Sequence, residues 1–162
     1  MGDEGQKKQA LITAIRLLAA TPKTRRALTQ KLLQKGYPEP VVEETLDHLE
    51  RQHVLDDKAY ALNLLNRFRF FQPSGRQKMI FEMKRRGIPA KIQEEVLSQV
   101  HREEEIETAR QVGRERWERF ANTPAPKRKK RVYDFLIRRG FDFQVCRDLV
   151  EELSAAKDSR DE

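Results

Sequence analysis

The sequence predicts an all-α protein: an elongated array of three tandem three-helix repeats, with about nine helices in all. Three observations predict it. Apolar residues recur at helical steps of three and four, while runs alternating apolar with polar, the mark of strands, are scarce. Glycine and proline number only seven each in 162 residues, too few to punctuate many short strands. One short phrase, an apolar helix end, a basic residue, a glycine and a large apolar residue, is also written three times, as LLQKGY (32–37), EMKRRGI (82–88) and FLIRRGF (135–141).

The glycines of this phrase, Gly36, Gly87 and Gly140, recur with a period of about fifty residues. The residues around them keep register. Leu28, Met79 and Val132 precede the glycine by two helical turns, and Leu32, Met83 and Leu136 by one. Tyr37, Ile88 and Phe141 follow it directly; Val41, Ile92 and Val145, then Leu46, Leu97 and Val150, then Leu49, Val100 and Leu153 continue the series. This spacing gives two helices with one buried stripe each, and the glycine is the break between them. Just past a helix end the chain turns into the left-handed region, where glycine has no side-chain clash, and the preceding Lys or Arg suits the negative end of the helix dipole.

Each pair needs a third helix to cover it, and each repeat has one upstream. The first is QKKQALITAIRLLAA, with Leu11, Ile15 and Leu18 facing inward. The second is DDKAYALNLLNRFRFF, and the third is EEEIETARQVGRERWERF, with Ile106, Val112, Trp117 and Phe120. Thr24 and Ser74 are suited to cap the middle helices of the first two repeats, Pro22 and Pro73 to stand near their starts, and Asp56 to cap the helix after VLDD. The expected repeats are 7–53, 54–100 and 101–156, with frayed ends at 1–6 and 157–162, and ANTPAPK (121–127) as the loosest joint.

Several function classes fall away. The single cysteine, Cys146, has no partner for an internal disulfide and lies on an apolar stripe, as does Trp117. No apolar run reaches the roughly 20 residues of a membrane span, and the polar start MGDEGQKKQ is unlike a secretion signal, so a cytoplasmic protein without a membrane partner is expected. His48, His53 and His101 lack ligand spacing, Asp56 and Asp57 have no third acid nearby, and there is no phosphate loop and no nucleophile with a base. No cofactor, no metal and no catalysis are expected. The net charge of +7 points instead to an anionic partner.

The runs ALTQKLLQKGY, VLDDKAYA, GRQKMIFEMKRRGI and VYDFLIRRGF, in this order over residues 8 to 153, resemble the RecX family of bacterial regulatory proteins. The resemblance implies a monomeric, non-catalytic modulator of recombination, DNA repair and the SOS response. Its partners would be the RecA filament and single- or double-stranded DNA, and its effect chiefly a lowering of RecA's ATP hydrolysis, strand exchange and co-protease activity. One departure stands out. Where the family has a glutamate three residues past the first cap, this chain has Ala27, so Thr24 has no reciprocal capping box.

Charge placement gives the candidate surface. Basic residues gather on or beside the middle helices: Arg25 and Arg26; Arg76, Lys78, Lys84, Arg85 and Arg86; Lys127, Arg128, Lys129, Lys130, Arg131, Arg138 and Arg139. Arg67 and Arg69 interleave with Phe68, Phe70 and Phe71, a pattern that stacks on bases or packs into a core. The third helices are acidic, with Glu43, Glu44 and Asp47 in the first and Glu94 and Glu95 in the second. Basic and acidic rails are therefore expected, suited to a partner that presents phosphates beside charged protein. Two other readings remain: a protein-binding helical solenoid without nucleic acid, and a helix-turn-helix regulator, which the acidic third helices disfavour because phosphates would repel them.

Overall fold

The computed structural model describes residues 2–158, without the side chains of residues 157 and 158. Among these the chain forms nine α-helices, one π-helical turn and no strand. In order they are α1 (Asp3–Ala20), α2 (Arg25–Gln34), α3 (Glu39–Arg51), α4 (Asp57–Asn66), the π-helical turn (Arg67–Phe71), α5 (Arg76–Arg85), α6 (Ala90–Leu97), α7 (Arg102–Arg119), α8 (Ala125–Arg138) and α9 (Phe143–Asp158). The all-α expectation and the grouping into three-helix sets hold. Within the N-terminal stretch expected to fray, α1 begins at Asp3, and Lys7 pairs with Asp3 at 3.2 Å and with Glu44 of α3 at 2.9 Å. Of the C-terminal stretch expected to fray, residues 159–162 lie outside the described residues.

The three phrases are helix stops of one design. Gly36, Gly87 and Gly140 have φ of 90°, 73° and 81°. In each turn the glycine N–H donates to the carbonyl three residues back, and the next N–H donates to the carbonyl five back: Tyr37 to Leu32, Ile88 to Met83, Phe141 to Leu136. The carbonyls that a helix end leaves open are thereby satisfied, and the apolar residue after the glycine folds onto the helix it has left. His53 builds the same turn after α3 at φ 56°, with His53 N–H on Glu50 and Val54 N–H on Leu49, and nothing in its residue type announces it.

The chain forms two compact units: residues up to Asn63 with Met83–Glu94, and Leu64–Glu82 with Glu95 onward. In the first, Ala14, Leu28, Leu32, Val42, Leu46, Leu49 and Leu55 make the core, with Leu11, Leu17, Leu18 and Tyr37 packed on it. The inward stripe of α1 is lighter than expected. Ala10 and Ala14 are fully buried while Ile15 is exposed, because α1 approaches its neighbours closely along its small residues. In the second unit Ala109, Val112, Trp117, Val132, Leu136, Phe141, Cys146, Leu149 and Val150 are buried together. Burial pushes the Cys146 thiol up to about 12, which keeps it protonated and unreactive.

Two helix starts are finished by side chains or turns distant in sequence. At α2, Thr24 Oγ1 accepts from Ala27 N–H at 3.3 Å and donates to the Arg86 carbonyl at 2.7 Å, while Arg25 N–H donates to Asp57 Oδ1 at 2.8 Å. Asp57 thus closes an amide at the helix start from which the capping box is missing. At α5 the expected cap, Ser74, instead donates to the Gln72 carbonyl, because the cap position falls on Gly75. Gly75 N–H donates to the Arg139 carbonyl at 2.8 Å, Gln77 N–H to Gly140 at 3.1 Å, and Arg76 N–H to Glu105 Oε1 at 2.9 Å. Asp56 does cap α4, accepting from Ala59 N–H at 3.0 Å.

Candidate nucleic-acid interface

The basic residues singled out by the sequence separate into those spent inside the fold and those left on its surface. Arg25 belongs to the first group. Its guanidinium meets Glu43 at 2.8 Å, Asp47 at 2.9 Å and Glu50 at 2.9 Å, all on α3. Burial would lower its pKa, but the hydrogen bonds with Asp47 and Glu43 and the charge of Glu50 outweigh burial and raise it. In the first repeat the two expected rails therefore meet at Arg25, because α2 and α3 pack side by side.

Arg128 is the second correction. It stands within KRKKR, yet it is only 5% exposed. Its guanidinium lies 4.1 Å from the Trp117 ring centre, and Nε and Nη2 donate to the Trp117 carbonyl at 2.9 and 2.6 Å. It satisfies the C-terminal end of α7, and burial lowers its pKa. The rest of the run divides as well: Lys129 pairs with Glu151 at 3.0 Å and Lys130 with Asp134 at 2.8 Å, leaving Lys127 and Arg131 exposed. Five neighbours in sequence point around a helix, so they do not lie on one face.

Arg69 and Arg76 also have internal work. Arg69 makes a two-pronged pair with Glu104, at 2.7 and 2.9 Å, and lies over the Phe70 ring. Arg76 Nη1 donates to the Leu97 carbonyl at 3.0 Å, while Arg67 and Lys78 both approach Phe68, which is core. Phe70, Phe71 and Phe81 remain exposed, Phe71 at 81%. The interleaved aromatic run thus divides, Phe68 packing into the core and Phe70 and Phe71 lying on the surface.

What the structure brings together lies in two places. In the first unit a cavity of about 350 Å³ is lined by Lys23, Thr24, Arg26, Tyr60, Arg85 and Arg86, with Arg86 Nε donating to the Tyr60 hydroxyl at 3.1 Å. In the second, Arg131 and Arg139 lie over Phe120 and Phe135. Lys84 and Arg138 are exposed on α5 and at the end of α8. The sequence reading overlooked Arg116, which approaches both phenylalanines; the i, i+4 step from Arg116 to Phe120 is the signal that would have found it. Among the described residues no group of three or more His, Cys, Asp or Glu is placed to hold a metal ion, and no helix is long and apolar enough to cross a membrane.

Three-helix sets joined by turns of one design define a helical-repeat protein, and comparison with known proteins sharpens this. Residues 10–49 match the model of the RecX first three-helix domain, and residues 103–150 that of the RecX third three-helix domain. The regulatory protein RecX of Chlorobium limicola is 31% identical over 147 residues, covering 91% of each chain. That of Chlorobaculum tepidum is 32% identical over 163 residues, covering 98% of this chain and 99% of the relative. A crystal structure of RecX from Lactobacillus salivarius superposes with a TM-score of 0.81 at 17% identity, covering 94% of this chain and 99% of that one, a likeness of fold. The chain belongs to the RecX family of regulatory proteins.

Proposed function

We propose that this protein binds the RecA–DNA filament and restrains RecA's ATP hydrolysis, strand exchange and co-protease activity, acting in the cytoplasm as a monomer in recombination, DNA repair and the SOS response. The reading rests on family membership along nearly the whole chain. The observation that carries its electrostatic half is a set of cations left over after internal pairing. Arg26, Lys84, Lys127, Arg131 and Arg138 are exposed, and none pairs with a carboxylate among the described residues. Such residues add little to stability and are the kind that displace counterions from phosphates.

The test is ATP hydrolysis by RecA on single-stranded DNA while the protein is titrated in at several salt concentrations, with the protein alone as control. Suppression below one protein per RecA subunit, weakening as salt rises, is the expected result. No effect at several-fold excess would return the protein to the class of protein-binding solenoids. That second reading has its own observation, the exposed rings of Phe70, Phe71 and Phe81. It predicts binding that added salt leaves nearly unchanged.

A further inference from the structure

In the third repeat five side chains alternate cation with ring: Arg139, Phe135, Arg116, Phe120, Arg131. The guanidinium carbon of Arg139 lies 5.6 Å from the Phe135 ring centre. That of Arg116 lies 4.5 Å from Phe135 and 5.2 Å from Phe120, and that of Arg131 lies 5.2 Å from Phe120. The sequence builds this from two stripes with steps of one helical turn: Arg116 on α7 and Phe120 just past its end, then Arg131 and Phe135 on α8 and Arg139 just past its end.

Two observations separate this stack from Arg25 and Arg69. None of its three cations pairs with a carboxylate among the described residues, whereas Arg25 has three and Arg69 has one held by both prongs. Three acids of the third repeat, Glu151, Asp134 and Glu107, pair instead with Lys129, Lys130 and Arg110. The Nε–H groups of Arg116 and Arg139 are also buried with no acceptor. Like charges held together around two rings, with two buried donors unsatisfied, would be a poor device for stability alone.

We infer that this stack is a binding site for the phosphodiester backbone of a nucleic-acid strand, the Nη N–H groups of its guanidiniums taking successive phosphates. The inference rests on the nucleic-acid half of the proposed function and says where and how the strand is held. A guanidinium whose face lies on a ring keeps only its edge for a partner, and that edge is a fixed fork matching two phosphate oxygens. The rings hold the forks in place, so little side-chain freedom is lost on binding. Bases are not read, because the rings on which they would stack, Phe120 and Phe135, are half-buried and already engaged by the guanidiniums. Arg131 on α8 and Arg139, the residue that caps its end with helical backbone, lie eight residues apart, a span of about 12 Å at about 1.5 Å per residue, which suits a row of phosphates better than a single anion.

The test uses the full chain and fluorescence anisotropy at several salt concentrations. The probes are an oligothymidylate of about 20 nucleotides, an abasic strand of the same length and a duplex. Thymidylate and abasic strands are expected to bind alike, and the duplex arm identifies which form of backbone is preferred. The double variant Arg116→Lys with Arg139→Lys keeps every charge but loses the forks, and its affinity is expected to fall about tenfold. Unchanged affinity in that variant, or at least tenfold weaker binding of the abasic strand, would overturn the site. Should the double variant lose helicity, Arg131→Lys decides in its place: the side chain is exposed, about a threefold loss is expected, and no loss overturns the proposal. RecA ATP hydrolysis measured with the same proteins separates the two readings. Strand binding through the stack without effect on RecA would remove the filament reading and leave the site, whereas suppression of RecA by a protein whose strand affinity ignores the Lys variants would do the reverse.

Discussion

The start of α2 and the start of α5 are each closed by residues of the following repeat, but through different atoms. At α2 the cap position holds Thr24, whose hydroxyl reaches the Arg86 carbonyl while accepting from its own helix. At α5 the equivalent position holds Gly75, whose backbone N–H reaches the Arg139 carbonyl directly. In each case the residue before a turn glycine supplies the acceptor, and an acid on the following repeat's first helix, Asp57 or Glu105, takes the next amide. The two joints have one plan and different tolerances. A hydroxyl spans a gap that a backbone contact closes, so the second joint has no room for a side chain.

Substitutions at these positions break the comparison by unequal amounts. The largest effect is expected from Gly75→Ala, because a Cβ there would overlap the Gly140 carbonyl and the Phe141 amide, backbone atoms that cannot swing aside. Unfolding in urea should show a loss of about 3 kcal/mol. Next comes Thr24→Ala, which leaves a helix amide and the Arg86 carbonyl without their partner at a residue only 1% exposed; the same measurement should give about 2 kcal/mol, with Thr24→Ser close to unchanged. Asp57→Ala and Glu105→Ala each remove one cap and should cost about 1 kcal/mol. Equal losses would show that the two joints share their carboxylate half, and a large inequality would show that they do not.

The smallest effect is one of pH. Burial raises the Asp57 pKa above its ordinary 3.8, against the lowering by the Arg25 amide and charge. The folded state therefore holds this proton more tightly than the unfolded state does. Stability contributed by that proton is fully present below the ordinary value and is lost as pH rises through the raised one. Asp57→Asn, which can still accept from the Arg25 amide, should remove this slope from a series of urea midpoints taken from pH 3 upward. A slope that survives the substitution would assign it to another group.

What could be read in the sequence was local. The three turns, the stripes around them, the Asp56 cap and the core places of Trp117 and Cys146 each depend on residues within a few positions, where periodicity and residue type suffice. The joints were not legible, because Arg25 finds Asp57 at a separation of 32 residues and Thr24 finds Arg86 at 62. The same limit explains the charges. Arg25 and Arg128 looked like surface because nothing nearby in sequence shows the three acids of α3 or the Trp117 ring. Ala27 was read as a missing cap; what replaces it comes from the next repeat.

Arg128 stands at the same distance before its turn glycine as Thr24 and Gly75 do before theirs, and like them it is buried. Its guanidinium is turned onto its own repeat, while Pro126 in the first turn of α8 has no amide to satisfy. The first two joints consequently impose an order on synthesis. As the chain leaves the ribosome, α2 gains its Asp57 cap only after residue 57 has emerged and its Thr24 bond only after residue 86, and α5 waits likewise for residues 105, 139 and 140. Because Arg128 bonds within its own repeat, completing the third repeat also completes the second.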